Sequence, residues 1–189
     1  MARRNARNVI HDAGMKLFTQ RGFHASSVQD ITDAAGVPKG SFYNHFKSKE
    51  ALAAEILTAY GQGNTDRGIL TDPNVPALTR LKKHFAALND YFSACTDGCL
   101  VGKFMAEVSD DMPEIRGRLI EVLKQWGEQL SSAITDGQRD GSIRKDLKAG
   151  ELAAFLIDSY EGAILRTRVE RKSRALKSFT DIVFSSIVI

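Results

Sequence analysis

Three observations predict an all-α fold for this 189-residue chain. Apolar residues recur three and four apart through most of its length, the period that lines one face of a helix. Glycine and proline gather in a few interruptions, the densest holding Gly61, Gly63, Gly68, Pro73 and Pro76. Between Ser26 and Phe46 two short apolar stripes meet at Gly36, the pattern of two short helices and a tight turn. The predicted architecture is an N-terminal three-helix helix-turn-helix domain over residues 1–48 and a larger helical domain over residues 49–189.

The first helix is expected over residues 3–21, with Val9, Ile10, Ala13, Leu17 and Phe18 on one face. Gly22 ends it and Phe23 turns back into the core. Ser26 or Ser27 caps the next helix, Ser26 having capping-box spacing to Gln29. The second stripe is Val28, Ile31, Ala34 and Ala35, closed by Gly36 in the left-handed conformation. Pro38 presets φ for a first turn. The third helix, about seven residues long, cannot stand alone and relies on Phe42 and Phe46 as anchors.

Ser48 caps a fourth helix from Lys49 to about Thr65, held by Leu52, Ile56 and Tyr60. After the break comes a helix from Ala77 to Cys95 carrying Leu78, Leu81, Phe85, Leu88 and Phe92. Thr96, Asp97 and Gly98 interrupt it. A short helix then runs from Cys99 or Leu100 to Val108, and a long one from Pro113 to Arg139 through Ile115, Leu119, Val122, Leu123, Trp126, Leu130 and Ile134. Trp126 suits either a pocket wall or a core. The last two helices, about 149–170 and 173–189, carry more apolar surface than one neighbour buries. Gly162 and Ala163 permit close approach of a second chain, so these helices are expected to form a homodimer.

Charge points to a partner. Residues 1–50 hold eight Lys/Arg against four acids in a chain whose total is only +3, so the positive balance sits with the helix-turn-helix. A helix-turn-helix lays its second helix in the DNA major groove. Here that helix presents Lys39, Gly40, Ser41, Tyr43, Asn44 and His45. Arg3 and Arg4 form a basic arm able to reach a minor groove, and a Ser27 hydroxyl can take a phosphate oxygen. The longest apolar runs, such as Leu152–Ile157, fall far short of the ~18 residues of a membrane span. No membrane is expected. Two cysteines are too few for a secreted disulfide scaffold, and a cytoplasmic location is expected.

The segment QRGFHASSVQDITDAAGVPKGSFYNHFKSKEAL closely resembles the DNA-binding domain of the TetR family of bacterial transcriptional regulators. The resemblance covers about the first 55 residues. It implies a homodimer, usually a repressor, released from double-stranded operator DNA by a small-molecule inducer, with residues 49–189 serving ligand binding and dimerisation. In those terms the DNA contacts are Arg3, Arg4, Ser27, Lys39, Gly40, Ser41, Tyr43, Asn44, His45 and Lys49. Phe85, Leu88, Phe92, Cys99, Phe104 and Trp126 are expected to line the inducer pocket. No cofactor, metal or catalytic residue is expected.

Cys95 and Cys99, four apart, match neither a CxxC redox motif nor a zinc set. Cys99 opens a helix, whose N-terminus favours thiolate, and Lys103 one turn later adds to this if it bends back. The phrase GCLVGKFMAEVSDDMPEIRGRL resembles a segment of TetR-family repressors that sense electrophiles and reactive chlorine species. It implies Cys99 as the reactive group, beside the plain reading of a core thiol. The competing function is a thiol- or metal-dependent enzyme using Cys95 and Cys99, which lacks an evident acid, base or nucleophile set. A protein-binding adaptor leaves the basic surface of residues 1–50 unexplained.

Overall fold

A computed structural model describes residues 5–63, 67–95 and 97–188. Nine α-helices follow among these residues: α1 Ala6–Arg21, α2 Val28–Ala35, α3 Lys39–Tyr43, α4 Lys49–Gly63, α5 Ala77–Ala94, α6 Leu100–Glu107, α7 Pro113–Asp140, α8 Ala149–Glu170 and α9 Arg174–Ile187. A 3₁₀ turn at Arg67–Thr71 stands in the breaker-rich interval, and the Ile143–Val188 bridge is the one β pairing among the described residues. Arg3, Arg4, Thr65 and Thr96 lie outside the described residues. Two compact units form, one drawn from Met1–Gln62 and Leu100–Val122, the other from Gly63–Cys99 and Leu123–Ile189.

In the first unit α1, α2 and α3 pack on one another around Ile10, Leu17, Phe18, Ile31 and Phe42. Phe42 is fully buried and its ring centroid lies 5.7 Å from that of Phe46. The cap of α2 differs from the Ser26–Gln29 expectation. Ser27 is the N-cap, its Oγ accepting from Asp30 N–H while the Asp30 carboxylate accepts from Ser27 N–H. Ser26 is buried instead and donates its hydroxyl to the Gly22 carbonyl at 2.8 Å. Of the expected α2 stripe only Ile31 is buried; Thr32 joins it by returning its hydroxyl to the Val28 and Gln29 carbonyls, while Ala34 faces solvent. Gly36 is left-handed as expected (φ 67°, ψ 34°). Pro38 sits one place earlier than expected, as an extended N-cap, and α3 has five residues.

α6 also belongs to this unit and closes the end of α1. Lys103 donates to the carbonyls of Thr19 and Gln20, two of the groups that a helix C-terminus leaves unpaired. It is thus engaged with α1. Glu107 accepts from the Phe23 and His24 amides at 2.7 and 3.0 Å. The turn between α1 and this carboxylate requires glycine: Gly22 has φ 87° and ψ −179°, a region that side chains avoid, and a Cβ there would run into Glu107.

The second unit gathers α5, α8, α9 and the greater part of α7. Tyr160 is its largest fully buried side chain, with ring centroids 5.2 Å from Phe85 and 5.0 Å from Phe179. Its hydroxyl donates to Asn89 at 2.9 Å, and Asn89 donates to Thr180 at 2.8 Å, so α5, α8 and α9 share one polar chain through an aromatic core. Buried Arg80 ties the 3₁₀ turn to α7 by donating to the Leu70 carbonyl at 3.0 Å and to Asp136 at 2.8 Å.

Candidate nucleic-acid interface and buried polar core

α3 is amphipathic despite its five residues. Phe42 faces inward, while Lys39, Gly40, Tyr43 and the following Asn44 and His45 are exposed, Tyr43 at 58%. Ser41 is half-buried. A large ring held in solvent beside a fully buried one is not explained by packing; it fits a surface awaiting a partner. A Cβ at Gly40 would meet nothing within 4 Å, so backbone at that point is open to close approach. Ser27 is exposed as well, though its hydroxyl already donates to Asp30 at 2.6 Å, and these hydrogen bonds hold the Asp30 carboxyl below its ordinary range.

Lys49 is engaged within the chain. Its ammonium donates to the Phe23 and Ser26 carbonyls at 2.8 and 2.9 Å and stands 3.9 Å from the Phe23 ring centroid. Partial burial lowers its pKa, against the pull of Glu107 and Asp30. It fastens the loop before α2. Arg7, the described end of the basic arm, is likewise fastened, to Glu55 at 2.6 Å and over the Phe46 ring.

Among the residues expected to line an effector pocket, Phe85, Leu88, Phe92, Cys99 and Trp126 are buried in the second unit. Phe104 is the exception. It lies in the first unit, 5.7 Å from Phe18 and 5.9 Å from Phe23 between ring centroids, because α6 packs on α1. Cys95 is half-buried at the end of α5, and no group of three His, Cys, Asp or Glu side chains that could hold a metal gathers among the described residues.

Sequence reasoning missed the polar groups beside these aromatics. Trp126 Nε1–H donates to His84 Nε2 at 3.0 Å, and the Arg67 guanidinium stands 4.9 Å from the Trp126 ring centroid. Burial, then Arg67, pushes the His84 pKa down to about 3, so the imidazole is neutral and its Nε2 an acceptor. Glu161 is 5% exposed beside the Cys99 thiol; burial raises it to about 7, opposed by a hydrogen bond from that thiol and by Arg67. Its one legible signal was a lone acid inside an otherwise apolar helix face.

These two groups set opposite pH dependences. Between about pH 3 and 6.5 the unfolded chain binds a proton at His84 that the native chain refuses, so that contribution is lost as pH falls. Between about pH 4.5 and 7 native Glu161 holds a proton that the unfolded chain has released, so stability falls as pH rises. Glu161→Gln removes the second effect alone. Its stability relative to the native chain is expected to rise by about 3 kcal/mol from pH 4 to pH 8, read from urea midpoints; a pH-independent difference would refute the assignment.

Two family profiles match the chain: bacterial regulatory proteins of the tetR family over residues 10–56, and the tetracyclin repressor-like C-terminal domain over residues 77–183. The HTH-type transcriptional repressor DhaR of Mycobacterium sp. (strain GP1) is 41% identical over 190 residues, covering 100% of this chain and 95% of that protein. The repressor NemR of Escherichia coli K12 is 29% identical over 87% of this chain and 85% of its own length. Among solved structures, the reduced form of E. coli NemR superposes with a TM-score of 0.86 at 28% identity, covering 97% of each chain. A TetR regulatory protein from Rhodobacter sphaeroides gives 0.84 at 29%, covering 97% of this chain and 99% of that one.

Proposed function

This chain belongs to the TetR family of bacterial regulatory proteins and is a ligand-responsive, DNA-binding transcriptional repressor; we propose that it reads its operator through α3 and is released by an effector acting in the second unit. The enzyme alternative built on Cys95 and Cys99 falls with the family. The observation that carries the reading of α3 is Tyr43 at 58% exposure beside fully buried Phe42. Residues 1–48 form the reading head and residues 49–189 the effector and dimerisation domain, in the cytoplasm where the operator is.

Two copies of α3 in one dimer address successive major grooves about 34 Å apart. Lys39, Ser41 and Asn44 face base edges or their flanks, with Gly40 at the point of closest backbone approach. Ser27, Tyr43, His45, Arg3 and Arg4 take phosphates or the adjacent groove. Lys49 contributes by fixing the loop that presents Ser27. An inducer among Phe85, Leu88, Phe92, Cys99 and Trp126 releases DNA only through different affinities for the bound and free conformations. Phe104 serves this role less directly, through α6.

Replacing Lys39 or Tyr43 by alanine is expected to weaken operator binding about tenfold each and, for Lys39, to flatten the salt dependence by about one phosphate contact. Fluorescence anisotropy across a salt series checks both, and unchanged affinity in the two variants removes α3 from the interface. The position of Cys99 immediately before α6, whose N-terminus favours thiolate, supports a second route of release by covalent modification. Operator release by an α,β-unsaturated aldehyde is expected to be lost in Cys99→Ser protein; complete release from that variant leaves Cys99 as a core thiol.

A further inference from the structure

The second unit carries a concentration of positive charge that DNA reading by α3 does not use. From Arg166 to Lys177 the chain holds six cations and a single acid, Glu170. The turn between α8 and α9 folds five of them, Arg168, Arg171, Lys172, Arg174 and Lys177, around a groove of about 980 Å³. Arg171 makes that fold possible by adopting a left-handed conformation, φ 52°. Asp97 is the one carboxylate among the residues lining the groove.

Arg168, Arg171, Lys172 and Arg174 take part in no ion pair or hydrogen bond among the described residues, although ion pairs at Arg166–Glu170 and Lys177–Asp181 flank them. Like charges crowded on a concave surface repel and raise the local potential, and a multivalent anion relieves both. A neutral donor stands there too. Ser173, the exposed N-cap of the 14-residue α9, makes no side-chain capping bond. The first amides of that helix favour an anion. Phe92, 5% exposed, supplies an apolar wall.

We propose that this groove binds an organic polyphosphate: a molecule with two or more phosphoryl charges, held by Arg168, Arg171 and Lys172 at the entrance of α9, and an apolar or aromatic portion against Phe92. Its volume lies within the ~300–1,000 Å³ of small-molecule sites and exceeds what a single phosphate fills. Concavity favours a soluble ligand over a flat lipid surface.

The probes are ATP, inorganic pyrophosphate and orthophosphate, titrated calorimetrically into the full-length protein at physiological salt. ATP is expected to bind once per chain, pyrophosphate to compete with it more weakly, and orthophosphate to be weaker still. Arg171→Glu with Lys172→Glu, at exposed positions where folding is undisturbed, is expected to cut ATP affinity by at least about tenfold. The same titration of Lys39→Glu protein locates the site. An equal loss there assigns ATP to the reading head and overturns the proposal, as does ATP binding that survives the double reversal or is absent at millimolar concentration. Co-sedimentation with phosphatidylglycerol vesicles that depends on Arg171 and Lys172, without ATP or pyrophosphate binding, overturns it in favour of a membrane surface.

Discussion

Phe42→Ala protein is expected to lose operator binding entirely while losing about 3–5 kcal/mol of stability, the cost of emptying a fully buried aromatic site. The two effects share one cause. A helix of five residues has almost no stability of its own, since its first turn fixes several residues for a single hydrogen bond. It exists because Phe42 and, 5.7 Å away, Phe46 are packed beneath it. Removing the first ring removes the reason for Lys39, Tyr43 and Asn44 to face the same way. Urea unfolding gives the stability loss and anisotropy with operator DNA the binding loss. Phe42→Leu separates the two: restored packing volume should recover most of both, because nothing in Phe42 itself faces solvent. A folded Phe42→Ala protein that retains operator affinity would contradict the anchoring role.

Phe155→Asp combined with Ile182→Asp is expected to yield a folded monomer whose operator affinity is lower by about 10²–10⁴, the loss incurred when two linked half-site contacts become independent. Phe155 is 59% exposed and Ile182 63%, exposures that a core cannot explain. They line a groove of about 520 Å³ between α8 and α9, with Gly162 and Ala163 at its side. A Cβ at Gly162 would meet nothing within 4 Å, so the helix presents bare backbone to whatever covers it. Because these side chains are exposed within one chain, charging them costs little intrachain packing, and a change of oligomeric state can be read without a change of fold. Sedimentation velocity measures the mass. Anisotropy on single and paired half-sites measures the coupling. A double variant that stays dimeric with undiminished affinity would place the interface elsewhere.

Much of this protein was legible in its residues. The stripes of α5, α7 and α8 predicted those helices to within a residue or two, because a long amphipathic period has one way to bury itself. Gly36 announced a left-handed turn and adopts it. The motifs of the first 55 residues named the family that the whole-chain relatives then established. Local chemistry determines such features: a turn needs a residue without Cβ, and a helix needs one apolar face.

Only the tertiary structure decided where the polar side chains go. Ser26 and Ser27 are neighbours with the same hydroxyl, yet one is buried against Gly22 and the other caps α2. Lys49 and Lys39 carry the same charge, but a pair of carbonyls and an aromatic ring claim the first and leave the second in solvent. Phe104 joined the core of the first unit, and Glu161 was left buried beside the Cys99 thiol. A hydrogen bond or ion pair depends on groups distant in sequence arriving within about 3 Å in the right direction, and no periodicity along the chain records that arrival.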